Sequence, residues 1–317
     1  MPEGPEVRRY ADALDAVLSG RIITSLEART REARAWLQEN EGRLAGHRVE
    51  RVVSHGKHLI GYIESGFFFH SHLMMWGRWQ TFGPTGSSKK NRIVSEAVTL
   101  PDKDRRERAR IVVQGGAAIL LSAPIFDVGQ GNPYEQFENL ATLGPDALPC
   151  DRSFDGLELR RRLLLPEHRD VTVGAALLNQ RIVAGLGNYL RAEILFACRL
   201  DPWRKVRDLT EGNLQCLVRT IPQLTRRSYK RGATATETDR RRMTADPKLV
   251  YQPGREYGTR HLIFRRTNLP CLRCGQIIRQ LRQSTSNAGD EERSRIIYFC
   301  AKCQNVGLPI QGRPSQD

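Results

Sequence analysis

The first twenty residues carry a pattern that is typical of an amphipathic helix. Pro5 suits the first helical position, and Gly20 follows the last apolar residue of the pattern. The apolar residues that share one face are Val7, Ala11, Leu14 and Leu18. The sequence therefore predicts a helix over residues 5–19. Pro2 and Glu3 precede its N-terminus, where the helix dipole favours anionic groups such as a phosphate.

Between about residues 22 and 122 the apolar residues form short runs that are separated by turn residues. The run 49–63 is interrupted by Ser54-His55-Gly56-Lys57, which predicts a hairpin with Lys57 at its tip. A second hairpin is predicted over 110–121, around two adjacent glycines. Two polar or charged segments are predicted to be loops, 84–92 and 102–108. Several short strands with such turns favour a β-sandwich.

The pattern changes again beyond residue 128. Glycines and prolines are concentrated in 129–155, which predicts a linker. Helical spacing then predicts four short helices, over 157–165, 172–180, 188–197 and 213–224. The basic stretch 225–245 has few apolar residues and is predicted to be a mobile loop.

Composition and charge narrow the class of protein. The 317 residues include 50 lysines and arginines against 35 acidic residues, which is a net charge of +15. The natural partner of such a chain is a polyanion, with nucleic acid first and an anionic membrane second. Neither a transmembrane helix nor a signal peptide is expected, because no apolar run is long enough and the N-terminus is acidic. We therefore expect a cytoplasmic protein.

The seven cysteines fall into two groups. An odd number without a secretion signal argues against a disulfide framework. Cys198 and Cys216 lie in apolar helical patterns and are expected to be small core residues. Four others form two Cys-x-x-Cys knuckles, at Cys271, Cys274, Cys300 and Cys303. Two such knuckles are typical of a closed, structural zinc site, although two unrelated reduced pairs or a redox motif share the pattern. The intervening residues allow a hairpin, and Arg295 on its returning strand could reach a phosphate.

Two further segments leave alternatives open. Glycines precede a predicted helix start at Asn188, a combination that can bind phosphate but is equally typical of an ordinary packed helix–turn–helix pair. The segment 69–79 is rich in methionine and aromatic residues. Its composition alone favours a core strand, and the alternative is a wedge that fills the space left by an extruded base.

The N-terminus adds candidate chemistry. If Met1 is removed, Pro2 becomes a free secondary amine beside the carboxylate of Glu3. A secondary amine can attack a sugar carbon and form an iminium, which is a Schiff base. An α-amino group titrates near about pH 8, so a nucleophilic fraction exists at neutral pH. Lys57 becomes relevant to this chemistry only if its hairpin tip points into a DNA groove beside Pro2.

Four motifs occur in an order that resembles one known family. They are Met1-Pro-Glu-Gly-Pro-Glu6, Gly56-Lys57, Ala184-Gly-Leu-Gly-Asn-Tyr-Leu-Arg-Ala-Glu-Ile-Leu195 and the two cysteine knuckles. From residue 2 to about 305 the chain resembles the formamidopyrimidine-DNA glycosylase/endonuclease VIII family of base-excision repair enzymes. The resemblance implies an α+β chain with five segments. They are an N-terminal β-sandwich catalytic domain with a leading helix (1–128), a linker (129–155), a helix–two-turn–helix DNA-binding domain with a basic loop (156–260), a zinc finger (261–306) and a tail (307–317).

The resemblance also implies catalytic roles for single residues. Pro2 matches the family's nucleophile, which attacks C1′ of the damaged nucleotide. Glu3 matches a proton donor and shuttle, and Lys57 matches a lysine that contacts phosphate close to the lesion. Glu6 matches another family glutamate, with a structural or assisting role.

Three DNA-binding residues are implied in the same way. Asn188 and Arg295 match residues that hold the phosphates flanking the extruded nucleotide. Met75 matches the wedge, with Met74 and Trp76 as its neighbours. The spacer between the knuckles is longer than the family pattern, with an insert near 284–292.

The implied function is that of a bifunctional DNA glycosylase and AP lyase. It would act as a monomer on damaged double-stranded DNA, with one structural zinc ion, and would cleave the strand by β,δ-elimination. Oxidised pyrimidines are favoured as substrates, because segment 122–127 lacks the arginine pair of the 8-oxoguanine branch and Ser71-His72 is similar to the endonuclease VIII branch. The alternatives are a glycosylase for 8-oxoguanine or formamidopyrimidine, a non-catalytic damaged-DNA-binding protein of the same fold, and an RNA-binding zinc-ribbon protein.

Overall fold

The computed structural model describes residues 2–83, 100–151, 153–250, 256–285 and 294–307. They form two compact units: the first contains the chain up to Phe154 together with 183–185, and the second contains 155–182 and the chain from 186 onward. The predicted loop 84–92 and residues 286–292 of the insert lie outside the described residues. In the described part of the chain, no helix combines the length and the apolar character needed to cross a membrane.

A β-sandwich with a leading helix forms the first unit, as the sequence predicted. Its helices are α1 (Gly4–Leu18), α2 (Arg31–Glu39), α3 (Pro133–Gln136) and α4 (Glu138–Ala141). Its strands are β1 (Ile23–Ala28), β2 (Val49–His55), β3 (His58–Ile63), β4 (Phe67–His72), β5 (Arg78–Phe82), β6 (Glu107–Val113), β7 (Gly116–Leu121) and β8 (Ile125–Gln130). They form two four-stranded antiparallel sheets, with the orders β1-β6-β7-β5 and β2-β3-β4-β8.

One hydrophobic core joins helix α1 to both sheets. It includes Val7 and Leu14 of the helix, Phe69 of β4 and Trp79 of β5. The apolar stripe of the leading helix therefore faces the sandwich, as its spacing predicted. Helix α2 was not predicted, because residues 22–122 were assigned to short strands as a whole. Ala33, Trp36 and Leu37 nevertheless follow helical spacing and pack on the core.

The segment predicted as a linker is packed into the first unit. It contains the end of β8 and both short helices α3 and α4. Leu140 and Leu143 are buried in a small cluster with Ile60 and Ala184. Its glycines and prolines mark turns between these pieces, so composition alone did not reveal the buried leucines.

Helices dominate the second unit. They are α5 (Gly156–Leu163), α6 (Val173–Ala176), α7 (Asn188–Ala197), α8 (Glu211–Arg231), α9 (Glu237–Ala245) and α10 (Ala301–Gln304). A two-stranded antiparallel hairpin joins β9 (Arg279–Ser284) to β10 (Ser294–Phe299). The predicted helices at 157–165 and 188–197 are confirmed, and so is the hairpin with Arg295 on its returning strand.

The basic stretch 225–245 is largely helical, so the prediction of a mobile loop was wrong. Helix α8 continues to Arg231, and Thr225 and Ser228 on it are buried. Helix α9 starts with a capping box at Thr236 and buries Met243. The stretch is helical because a few small or apolar residues are buried on one face. Arg227 and Arg242 also donate to the backbone carbonyls of Thr234 and Leu272.

Cys198 and Cys216 form a disulfide, which corrects the expectation that they are separate core residues. Cys198 follows helix α7 and Cys216 lies in helix α8, and their Cα atoms are 5.8 Å apart. That separation lies within the range a disulfide spans. Counting cysteines could not reveal the pair, because two neighbouring helices bring together residues that are 18 positions apart.

Candidate functional site

Three glycines bring the start of helix α1 and the β2–β3 hairpin tip to one place in the first unit. The N–H of Gly4 donates to the carbonyl oxygen of Gly185 at 2.8 Å. A Cβ atom built on Gly185 would lie 3.3 Å from Gly56 Cα and 3.5 Å from Gly4 Cα. A Cβ atom on Gly56 would lie 2.7 Å from Ala184 Cβ. Replacing these glycines by residues with side chains would therefore push the segment that carries Glu3 away from the segment that carries Lys57.

The residues before helix α1 are held by the helix itself. Pro2 is half-buried, and Glu3 is only 3% exposed. Glu6 accepts a hydrogen bond from the backbone N–H of Glu3 at 3.0 Å and pairs with Arg9 at 2.7 Å. The Glu6 carboxylate therefore fixes the backbone that carries Pro2 and Glu3.

Two residues that sequence reasoning missed support the hairpin tip. His55 contacts the Tyr134 hydroxyl at 3.0 Å and the Gly144 carbonyl oxygen at 3.1 Å. The buried Asp146 carboxylate accepts from the N–H of Leu148 at 3.0 Å and also lies near the N–H of Gly56. Burial raises the pKa of Asp146 above its usual range. A turn of the form Gly-Pro-Asp in a glycine-rich segment gave no local sign of this role.

Lys57 is buried within the turn between β2 and β3. The next residue, His58, pairs with His72 across β3 and β4. The chain then turns after His72 and presents three consecutive large apolar side chains. Met75 is 51% exposed and Trp76 is 79% exposed, and Met74 adopts a positive φ of 50°. The segment 69–79 is therefore a buried strand followed by an exposed apolar tip; the core strand is confirmed for its first part, and the wedge stays a prediction for the tip.

In the second unit, Arg191 connects Asn188 to the strand that carries Arg295. Its fully buried guanidinium donates to Asn188 Oδ1 at 2.6 Å and to the carbonyl oxygen of Ile296 at 2.8 Å. It also donates to Gln283 at 3.2 Å. Ile296 follows Arg295, whose side chain is exposed. Helix α7 and the β9–β10 hairpin are thus joined beside both Asn188 and Arg295.

Glu193 is a second buried charged residue of helix α7. Its two carboxylate oxygens accept from the backbone N–H groups of Leu262, Ile263 and Phe264 at 2.8–3.0 Å. They also accept from the Thr234 hydroxyl at 2.8 Å. The segment that leads to the cysteine module is therefore tied to helix α7. A glutamate inside an apolar helical run was the available signal for this role.

The four knuckle cysteines meet in one cluster. The sulfur atoms of Cys271, Cys274, Cys300 and Cys303 all lie within 4.8 Å of one another. The Cys271–Cys303 and Cys274–Cys300 sulfur distances are 3.9 and 3.4 Å. Tetrahedral thiolate sites with bond lengths of about 2.3 Å require sulfur separations of just under about 4 Å. The cluster therefore fits one metal ion with four thiolate ligands and no open position.

The structure thus places the predicted site residues in two groups. Pro2, Glu3, Lys57 and Met75 belong to the first unit, and Asn188, Arg295 and the four cysteines belong to the second. Each group is organised by buried polar residues that the sequence patterns did not identify.

Two family models match the sequence. The formamidopyrimidine-DNA glycosylase N-terminal domain matches residues 1–120, and the formamidopyrimidine-DNA glycosylase H2TH domain matches residues 143–240. Endonuclease 8 of Salmonella arizonae is 31% identical over 304 residues, which cover 96% of this chain and 100% of that relative. Endonuclease 8 of Klebsiella pneumoniae is 31% identical over 307 residues with the same coverage.

Solved structures with a similar fold contain DNA. A complex of the Lactococcus lactis formamidopyrimidine-DNA glycosylase with abasic-site DNA has a TM-score of 0.69 at 20% identity, and the match covers 96% of this chain and 100% of that one. A complex of the same protein with DNA containing an oxidised pyrimidine also has a TM-score of 0.69, with the same identity and coverage. At this level of identity the likeness concerns the fold.

Proposed function

The chain belongs to the formamidopyrimidine-DNA glycosylase/endonuclease VIII family of DNA-repair glycosylases, and we propose that it is a bifunctional DNA glycosylase and AP lyase. It excises an oxidised base from double-stranded DNA through a Schiff base at Pro2 and then cleaves the strand by β,δ-elimination. The observation that carries the proposal is the junction of Gly4, Gly56 and Gly185, because it brings the chain beside Pro2 and Glu3 to the chain beside Lys57.

The chemistry follows from the residues at this junction. After removal of Met1, the Pro2 nitrogen attacks C1′ of the damaged nucleotide, and the base leaves with a proton as the sugar ring opens. Glu3 donates and recovers protons during ring opening and elimination, since its carboxyl is the acidic group next to the amine. The resulting iminium acidifies the C2′ protons, so the 3′ phosphate is eliminated first and the 5′ phosphate follows.

Phosphate contacts would position the damaged strand. Lys57 contacts a phosphate close to the lesion, and Asn188 and Arg295 hold the flanking phosphates. The hydrogen bond from Arg191 to Asn188 Oδ1 supports this role, because it orients the amide at the start of helix α7. The net charge of +15 supports a polyanionic partner.

The exposed tip at residues 74–76 supports a role for Met75 as the wedge. Three adjacent large apolar side chains in water are unfavourable unless a partner covers them. Insertion of Met75 into the base stack would bury this surface and occupy the space left by the extruded base.

We further propose that the four-cysteine cluster holds one zinc ion. Cys271, Cys274, Cys300 and Cys303 supply four thiolates, which is the ligand set of a closed structural zinc site. With no position for water or substrate, the metal would stabilise the fold around the β9–β10 hairpin and take no part in the reaction.

Oxidised pyrimidines are the substrates that we favour, and the Endonuclease 8 relatives support the branch to which this preference belongs. The enzyme is proposed to act as a cytoplasmic monomer on the chromosome. A preference for 8-oxoguanine or formamidopyrimidine is the competing substrate assignment, and excision from a panel of single-lesion duplexes separates the two.

Borohydride trapping tests the catalytic proposal. A duplex with a single abasic site is incubated with the protein and sodium borohydride, and the cross-linked peptide is mapped. We expect one covalent adduct, at Pro2. A Pro2→Gly variant retains an amine but alters its basicity and geometry, so trapping should fall while binding to abasic-site DNA is retained.

Two outcomes would contradict this mechanism. An adduct on a lysine would mean that this lysine, and not Pro2, is the nucleophile. Absence of any adduct, with Met1 removed and DNA still bound, would favour the non-catalytic damaged-DNA-binding protein.

A further inference from the structure

Asp127, His70 and His58 form a hydrogen-bonded chain across the β2-β3-β4-β8 sheet. Asp127 Oδ2 lies 2.9 Å from His70 Nδ1, and His70 Nε2 lies 2.9 Å from His58 Nδ1. The two imidazole rings lie edge to edge and are nearly coplanar, with centroids 5.2 Å apart and an interplanar angle of 18°. His70 is fully buried and His58 is nearly so, and therefore water competes little for these bonds.

With neutral rings, a single arrangement of protons satisfies both hydrogen bonds. A carboxylate oxygen accepts hydrogen bonds, so His70 Nδ1 is the atom that donates to Asp127 Oδ2. His70 Nε2 then has a lone pair and accepts from a protonated His58 Nδ1. Because each ring has a fixed tautomer and a fixed partner, the chain holds the orientation of His58.

His72 lies at the end of this chain and at the base of the exposed tip. Its ring packs edge-on against His58, with centroids 4.8 Å apart and an interplanar angle of 65°. His72 Nδ1 accepts a hydrogen bond from the backbone N–H of Met74 at 3.1 Å. Burial, aided by Lys57, lowers the pKa of His72 to about 4, so the accepting lone pair is present at neutral pH.

The tip needs such support because its backbone is strained. Met74 adopts a φ of 50°, which a residue with a Cβ atom rarely does. The turn closes through the N–H of Gly77, which donates to the Leu73 carbonyl oxygen at 2.8 Å. A Cβ atom at Gly77 would lie 2.4 Å from that oxygen, so this position of the turn has no room for a side chain. The bond from Met74 to His72 compensates part of the strain.

We propose that His72 is a positioning residue for the tip 74–76, and that the chain Asp127–His70–His58 holds its ring in place. The functional part of this inference rests on the proposed role of Met75. A tip that is ordered before DNA binds enters the base stack without first losing conformational freedom. Loss of the Met74–His72 hydrogen bond would allow other backbone conformations at Met74 and slow the opening of the duplex.

A matched pair of variants tests the role of His72. Asn places its Oδ1 close to the position of His Nδ1, so His72→Asn keeps an acceptor for the Met74 N–H, whereas His72→Leu removes it. Single-turnover excision is measured for one oxidised pyrimidine in a duplex and for the same lesion in a single strand, where no opposite base must be displaced.

We expect His72→Leu to slow excision from the duplex by about five- to tenfold, the effect of one lost hydrogen bond. The ratio of the duplex rate to the single-strand rate should fall by the same factor. His72→Asn should restore most of that ratio. Equal losses on both substrates, or no rescue by Asn, would overturn the functional part of the inference, because a general structural defect does not distinguish the two substrates.

A measurement on the free protein separates this inference from the proposed function. With 5-fluorotryptophan incorporated, the ¹⁹F resonance of Trp76 is assigned by a Trp76→Phe variant, and that of buried Trp79 serves as an internal control. We expect His72→Leu to broaden or split the Trp76 line alone, and His72→Asn to leave it narrow.

Each combination of results then has a defined meaning. An unchanged Trp76 line in His72→Leu would overturn the positioning of the tip, whatever the enzyme assay gives. A changed line without a change in the duplex-to-single-strand ratio would support the positioning but overturn the wedge role of Met75. If the wild-type protein excises no base, the proposed function fails and the ¹⁹F comparison alone decides the role of His72.

Discussion

The neutral histidines His58 and His72 should make the stability of the first unit depend on pH. Burial is the largest cause that lowers the pKa of His58 to about 2 and that of His72 to about 4, and nearby His70 and Lys57 act in the same direction. His55 also faces His58, and Asp127 contacts His70. In the unfolded chain both rings titrate near about pH 6.5.

Below that pH the two rings bind protons in the unfolded chain but stay neutral in the folded chain, so the free energy of unfolding decreases as the pH falls. The loss begins near the unfolded pKa and continues until each folded pKa is passed. Between pH 7 and pH 5, two shifts of this size each remove about 2 kcal/mol, or about 4 kcal/mol if the two rings act independently. Coupling between the rings makes the sum an upper value.

Urea unfolding at pH 7, 6 and 5, followed by tryptophan fluorescence, measures this dependence. The His72→Asn variant is the control, because it keeps the acceptor for Met74 but removes one titrating ring. The difference in free energy of unfolding between wild type and variant cancels the titration of the ionisable groups that the two proteins share. We expect the wild type to lose about 2 kcal/mol more than the variant over this interval.

A parallel pH dependence in wild type and variant would refute this reasoning. So would a histidine NMR resonance that titrates near pH 6.5 in the wild type and is missing from His72→Asn. Either result would mean that the ring is accessible to water and protonates freely in the folded protein.

The remaining predictions concern the junction, the metal cluster and DNA binding. In urea unfolding, Gly56→Ala should lower the free energy of unfolding by at least about 2 kcal/mol more than Gly20→Ala does. Both positions have a positive φ, but only at Gly56 would the added Cβ atom meet another Cβ atom, at 2.7 Å. Equal losses in the two variants would contradict the close junction. Cys271→Ala should lose bound zinc by elemental analysis and weaken DNA affinity, whereas Cys150→Ala should change neither; full affinity without zinc would refute the metal assignment. DNA affinity should fall steeply with salt, and Arg295→Ala should reduce the slope of log K against log salt by about one; an unchanged slope would remove Arg295 from the phosphate contacts.

Local patterns predicted much of the fold and of the candidate site. The spacing of Val7 and Leu14 identified the leading helix, and the glycine before Lys57 identified a hairpin tip. The Cys-x-x-Cys spacing identified the four-cysteine cluster. These features are readable because each depends on residues close in sequence, where the backbone period or a short ligand spacing restricts the possible structures.

Other features failed to appear in the sequence because weak local signals were overridden by packing. The basic stretch 225–245 is polar in composition, yet burial of Met243 and the capping box at Thr236 make part of it a helix. Cys198 and Cys216 become partners only because helices α7 and α8 lie side by side. Composition averages over a segment, whereas stability depends on the few side chains that are buried.

By itself, then, the sequence determined the leading helix, the sandwich, the finger and the identity of the candidate catalytic and metal-binding residues. Only the tertiary structure decided what holds them: Arg191 against Asn188, Asp146 beside Gly56, and His72 beneath Met74. Two of these supports are hydrogen bonds between residues that are close in sequence. In each, one residue is held by a partner that is distant in sequence: the Ile296 carbonyl oxygen holds Arg191, and the His58 ring holds His72. A buried polar group requires a hydrogen-bond partner, and the tertiary structure determines which residue provides it.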